Sequence, residues 1–151
     1  MALPKTREEA LQQMRFIWGG IVIAVPLYIY IGETIPAPSW LSFSCAGTTF
    51  VTLAVLNLLA FWWALRKRYS PAVKILQLHP EDMHATRRWM SMWVVLLCNA
   101  NCLTLFGLVL IWEGKTMEQT LPFYGLGLLL TLWLWPRAAW SSEKITDQTD
   151  Q

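Results

Sequence analysis

The stretch that decides the fold of this chain is residues 89–112, WMSMWVVLLCNANCLTLFGLVLIW, which contains no charged side chain. A helix needs about 20 apolar residues to cross the roughly 30 Å hydrocarbon core of a bilayer, so this stretch is long enough to do so. Two arginines precede the stretch and Glu113 follows it. It therefore predicts a transmembrane helix with a charged residue at each boundary.

The rest of the chain has the same character. Hydrophobic residues make up 55% and charged residues 15%, against roughly 45–50% and 25% in soluble domains. We predict an all-α fold, a four-transmembrane-helix bundle with a short cytoplasmic loop helix. The predicted domain is a single integral membrane domain, 1–151, with spans 14–32, 40–65, 89–112 and 119–138 and a disordered tail, 141–151.

The basic residues predict the direction of the spans, because Lys and Arg accumulate in short cytoplasmic segments. If the N-terminus is inside, eleven of the twelve basic residues lie on the cytoplasmic side and only Lys115 lies outside. The eleven are Lys5, Arg7, Arg15, Arg66, Lys67, Arg68, Lys74, Arg87, Arg88, Arg137 and Lys144. We therefore predict a multi-pass protein of the membrane, a bacterial inner membrane, with both termini cytoplasmic.

The connections differ in length and composition. The outer connections, Gly32–Ser39 and Glu113–Thr120, are predicted to be short, while the cytoplasmic loop 66–88 is the one sizeable soluble element. In this loop, Ser70 followed by Pro71 is typical of a helix start and predicts a short helix over residues 72–78. Pro80, with Glu81 and Asp82 in the first turn, predicts another helix start that continues into the third span.

The ten tryptophans lie mostly at or near the predicted span ends. An indole at a bilayer boundary keeps its ring in the acyl region and its N–H among the headgroups. We therefore predict that the tryptophans anchor the chain at the two interfaces.

Polar side chains inside spans two and three form a candidate intramembrane cluster. Its members are Thr48, Thr52, Asn57, Asn99 and Asn101. Interhelical hydrogen bonds contribute roughly 0.6–2 kcal/mol each in membranes, and Asn57 and Asn101 are predicted at similar depth, where they can face each other. The cluster is interpreted as a structural polar clamp, with the lining of a polar pathway or a small-ligand site as the alternative.

Small residues predict close helix contacts. Cys98 and Cys102 are four residues apart and share a helix face, and small residues at this spacing let helices approach closely. Gly19, Gly20, Gly107, Gly125 and Gly127 favour the same interpretation.

No catalytic, metal or cofactor site is predicted. Both histidines, His79 and His84, lie in the cytoplasmic loop, and haem ligands on the spans are absent. Glu81 and Asp82 beside them suit a helix start, with metal binding as the alternative. Nucleic acid is not a predicted partner, because the basic residues cluster at membrane edges.

Residues 94–110, VVLLCNANCLTLFGLVL, resemble the carboxylate-bearing helix of the c-type proteolipids of rotary ATP synthases. On that alignment Asn101 stands at the position of the ion-binding carboxylate, and Gly107 follows six residues later. Asparagine cannot take up and release a proton, so the resemblance implies a relative that has lost ion transport.

The leading functional hypothesis is a non-enzymatic accessory, assembly or stabilising subunit of a larger membrane complex. Its predicted partners are the lipid bilayer and other membrane-protein subunits or further copies of itself. One alternative is a transport or channel component lined by the polar cluster. The other is a lipid-active membrane enzyme that uses His79, Glu81, Asp82 and His84.

Overall fold

A computed structural model describes residues 4, 6–37, 47–79 and 82–137, with only the backbone described at 47 and 48. All regular secondary structure in these residues is helical. The helices are α1 (Arg7–Thr34), α2 (Gly47–Ala64), α3 (Ser70–Leu78), α4 (Met83–Trp112) and α5 (Met117–Trp133), with a π-helical turn, Leu65–Tyr69, between α2 and α3. Residues 40–46 at the start of the second predicted span, Pro80, Glu81 and the tail 141–151 lie outside the described residues.

Three helical segments are long and apolar enough to cross a membrane. They are Arg7–Thr34, Thr49–Leu78 and Met83–Trp112, of 28, 30 and 30 residues. At about 1.5 Å per residue each exceeds 40 Å, more than the hydrocarbon core requires. The predicted all-α fold and the transmembrane character of these helices are consistent with this arrangement.

The fourth predicted span corresponds to α5, which has 17 residues and a length of about 26 Å. The helix begins at Met117, because Thr116 and Gln119 form a capping box there, so the outer turn is shorter than predicted. It ends at Trp133, short of residue 138, because Pro136 disfavours helical backbone in the residue before it.

The short helix predicted over residues 72–78 lies within α3, but Ser70 is not its N-cap, because Tyr69 before it is already helical. The chain stays helical from α2 through the π-helical turn into α3, and the Ser70 hydroxyl donates to the Leu65 carbonyl at 3.0 Å. A proline ring clashes with the carbonyl four residues before it in a regular α-helix. The wider π turn immediately before Pro71 accommodates the ring, so the helix continues instead of restarting.

The start of α4 is consistent with the predicted helix that continues into the third span. Asp82 is the N-cap residue, and its carboxylate accepts a hydrogen bond from the His84 backbone N–H at 2.7 Å. The helix then runs without interruption to Trp112.

Helix α4 is the centre of the packing and contacts α1, α2, α3 and α5. Helix α1 also contacts α5, whereas in the described part of the chain the α2 backbone contacts neither α1 nor α5. The main core is built around one side of α4. It contains Met14, Phe61, Ala72, Leu76, Ala85, Trp89, Trp93, Leu96, Leu97, Ala100 and Leu134.

Several tryptophans differ from their predicted role as interfacial anchors. Trp18 and Trp93 donate their indole N–H groups to the carbonyls of Thr131 (2.7 Å) and Leu134 (2.9 Å). The last carbonyls of a helix lack intrahelical partners. The two indoles therefore supply hydrogen bonds to carbonyl groups at the C-terminal end of α5. Trp93 is also fully buried, whereas Trp62 is 59% exposed, as expected of an anchor.

Candidate functional site

The polar cluster predicted from the sequence is centred on Asn101. Its amide nitrogen donates to the Tyr28 hydroxyl on α1 at 3.5 Å, and its side-chain oxygen accepts from the Thr104 hydroxyl at 3.0 Å. The Thr104 hydroxyl also lies 2.7 Å from the Asn101 carbonyl. Asn101 thus joins α1 to α4 through polar contacts inside an apolar region.

The predicted pairing of Asn57 with Asn101 is wrong. Asn101 lies on the side of α4 that faces α1, while α2 packs on another side, where Phe50 meets Phe106 with ring centroids 6.3 Å apart. The side-chain oxygen of Asn57 is buried and has no hydrogen-bond partner among the described residues. Helix periodicity gives the depth of each amide but not the order of the helices around α4.

Asn99 does not join this network. Asn99 donates to the carbonyl of Val95, one turn earlier on its own helix, at 2.9 Å. Residues two apart on a helix are separated by about 200° around the helix axis. Asn99 and Asn101 therefore point to opposite sides of α4. Thr52 is exposed on α2, and the side chain of Thr48 lies outside the described residues. Asn99 and Asn101 therefore do not line one common pathway.

Close approach of α4 and α5 depends on two of the predicted glycines. A Cβ at Gly127 would lie 2.5 Å from Thr104 Cγ2 and 3.0 Å from the Ala100 carbonyl oxygen. A Cβ at Gly107 would lie 2.9 Å from the Tyr124 ring. Around Gly125 there is open space within 4 Å, so the close-packing interpretation does not hold at that position.

One face of α4 is turned away from the rest of the chain. It carries Ser91, Val95, Cys98, Cys102 and Leu105, which we call the α4 outward stripe. Four of the five are exposed and Cys102 is half-buried. The spacing of three and four residues keeps them on one face. The described part of the chain therefore covers this face only partly, and Cys98 at its centre is exposed.

A cavity of about 350 Å³ lies between α5's C-terminal end and the segment from the π-helical turn to α3. Tyr69 and Val73 form one wall, and Trp133, Trp135 and Arg137 belong to the other. Sequence reasoning missed this cavity. Its only sequence signal is the concentration of tryptophan and arginine at the end of the fourth predicted span.

Tyr69 is held in this cavity by a neighbouring indole. The Trp89 N–H donates to the Tyr69 hydroxyl at 3.3 Å. A phenol hydroxyl can accept one hydrogen bond and donate another, so Tyr69 keeps its own hydrogen for a further acceptor.

The described acidic and histidine residues at the junction of α3 and α4 are Asp82, His79 and His84, while Glu81 lies outside the described residues. Asp82 caps α4, and His79 and His84 are exposed. The described residues contain no group of three or more His, Cys, Asp or Glu side chains that could hold a metal ion.

No protein-family model, curated protein or solved structure matches this chain.

Proposed function

We propose that the protein is a four-span integral membrane protein that serves as a non-catalytic accessory subunit of a larger membrane complex. Its two termini lie in the cytoplasm, and the host membrane is a bacterial inner membrane. The α4 outward stripe is the surface that docks on an apolar transmembrane helix of another subunit.

The α4 outward stripe is the observation that carries this proposal. Lipid chains are as apolar as leucine, so helices in a bilayer associate through van der Waals packing, which small residues improve by letting backbones approach. Cys98 is exposed at the middle of the most buried span of the chain. A partner helix that covers the stripe gains close contacts that lipid chains do not provide.

The four-span topology is supported by the pairing of helix ends. Trp18, in the N-terminal half of α1, bonds to Thr131 near the C-terminal end of α5. Trp112, at the C-terminal end of α4, bonds to the Ile35 carbonyl just after α1, at 3.1 Å. These contacts, with eleven of twelve basic residues on one side, fit alternating helix directions.

Reporter fusions test the topology. Alkaline phosphatase is active only outside the cytoplasm, so a fusion after Lys115 is expected to be active and fusions after Leu78 and Arg137 inactive. The fusion after Arg137 is decisive for α5, because activity there would mean that α5 does not cross the membrane and that three spans is the correct number.

Partner binding is tested by purifying the tagged protein from its host in mild detergent. Co-purifying proteins are then identified and quantified by mass spectrometry. We expect a stoichiometric partner that is lost from Cys98→Phe and retained by Leu129→Phe, since Leu129 is 66% exposed on α5. Recovery of the wild type alone, or equal retention by both variants, would contradict the docking surface.

The geometry favours this role over the two alternatives. A transport pathway needs polar side chains that face one another, and Asn99 and Asn101 point to opposite sides of α4. Of the residues considered for a lipid-active enzyme, Asp82 has a structural role, because its carboxylate caps the start of α4.

A further inference from the structure

The cavity at the C-terminal end of α5 has the shape of an amphipathic binding site. Its volume of about 350 Å³ is within the usual range for small-molecule sites. Leu132 and Trp133 line the cavity and are 45% and 60% exposed. The cavity therefore opens along an apolar surface that is suited to hydrocarbon chains.

The polar side of the cavity offers donors and positive charge. Arg137 lines it and is exposed. Tyr69 also lines it, and because its oxygen accepts the hydrogen bond from Trp89, the hydroxyl hydrogen remains available to a ligand. Three consecutive basic residues, 66–68, lie immediately before Tyr69 on the π-helical turn. These three do not line the cavity, and the Arg68 guanidinium lies 5.7 Å from the centroid of the Trp63 ring. The groups in the cavity that suit a phosphate are therefore Arg137 and the Tyr69 hydroxyl.

The C-terminal end of α5 does not offset this charge. A helix C-terminus carries about half a negative charge, located on its unsatisfied carbonyls. Here the carbonyls of Thr131 and Leu134 already accept hydrogen bonds from Trp18 and Trp93. The arginine in the cavity therefore outweighs the remaining dipole, and the local potential favours an anion.

We propose that this cavity binds the headgroup of an anionic glycerophospholipid from the cytoplasmic leaflet, and that its acyl chains lie along Leu132 and Trp133. The phosphate accepts from Arg137 and from the Tyr69 hydroxyl. The cytoplasmic leaflet is rich in anionic lipid, which supplies the ligand. The inference rests on the proposed topology, which puts this end of α5 in the cytoplasm.

Native mass spectrometry of the full chain, released from nanodiscs that contain equal amounts of phosphatidylglycerol and phosphatidylcholine, tests the proposal. We expect one retained phosphatidylglycerol per chain. Arg137→Gln should lower the retained fraction about fivefold, the contribution typical of one basic residue near anionic lipid. Tyr69→Phe should lower it by a smaller factor. Arg15→Gln, an exposed arginine of α1 in the same predicted leaflet, is the matched control and should retain the lipid.

Each other outcome overturns the proposal. Equal loss from Arg137→Gln and Arg15→Gln would mean non-specific attraction to basic residues, and equal retention of phosphatidylcholine would remove the role of charge. Displacement of the lipid by millimolar inorganic phosphate would identify a free anion as the ligand instead. The reporter fusion after Arg137 separates these failures from failure of the topology, because it measures the side of the membrane without reference to lipid.

Discussion

Replacing Gly127 with alanine is expected to push α4 and α5 apart. The new Cβ would lie 2.5 Å from Thr104 Cγ2, 3.0 Å from the Ala100 carbonyl oxygen and 3.2 Å from the Thr104 nitrogen. Carbon atoms in contact prefer about 3.5–4.0 Å. Since two of the three atoms belong to the α4 backbone, rotation of a side chain does not relieve the contact.

The side chain of Thr104 is also restrained. Its hydroxyl bonds to the carbonyl and to the side-chain oxygen of Asn101, so a different rotamer breaks the hydrogen bonds that orient the Asn101 side chain. Overpacking of this kind typically costs about 1–3 kcal/mol. Alanine also gains about 1 kcal/mol of helix propensity over glycine, but Gly125→Ala gains the same amount. The difference between the two variants therefore isolates the clash, at about 1–3 kcal/mol.

The assay is reversible unfolding in mixed dodecyl maltoside and dodecyl sulfate micelles, followed by tryptophan fluorescence. Gly127→Ala is expected to lower the free energy of unfolding relative to Gly125→Ala, which has open space around its Cβ. In the double variant Gly127→Ala with Thr104→Ser, loss of the Cγ2 methyl should restore part of the stability. Equal stability of the two alanine variants would refute the close approach of α4 and α5 that the structure describes.

The remaining predictions concern individual polar groups. Asn101→Leu is expected to destabilise the protein by about 0.6–2 kcal/mol, because it removes an interhelical contact. Asn57→Leu is expected to be neutral or stabilising, because the oxygen it removes is buried without a partner; the same unfolding assay checks both, and a larger loss from Asn57→Leu would contradict the assignment. Trp93→Phe removes the hydrogen bond to the Leu134 carbonyl and is expected to destabilise by about 1 kcal/mol. Trp62→Phe, at an exposed position, should have little effect in the same titration, and an equal loss from both would argue against that bond.

The helices could be predicted because their signals are local. The apolar stretch 89–112 and its Asp82 start indicate α4 without reference to any other part of the chain. The failed prediction at Ser70 has a local cause of a different kind: serine followed by proline suits a helix start, and a π-helical turn lets the helix pass through the same residues. The sequence pattern does not show that the turn before Pro71 is π-helical and therefore wide enough for the proline ring.

The candidate site was predicted less well than the helices. Asn101 and Gly127 are correctly placed at helix contacts, but the partner of Asn101 is Tyr28 rather than Asn57. The cavity beside Tyr69 was not predicted, because its walls come from segments far apart in the chain. Contacts of this kind depend on the order of the helices around α4. The sequence of a single helix does not determine that order.

The sequence by itself predicted a helical membrane protein with four spans, because hydropathy and length are properties of each segment alone. Three helices of the described chain are long and apolar enough to cross a membrane. Only the tertiary structure decided which face of each helix is covered. In water the buried face of a helix is the apolar one, but in a bilayer both lipid and protein interior are apolar, so periodicity no longer separates them. The α4 outward stripe and the cavity beside Tyr69 are therefore results of packing.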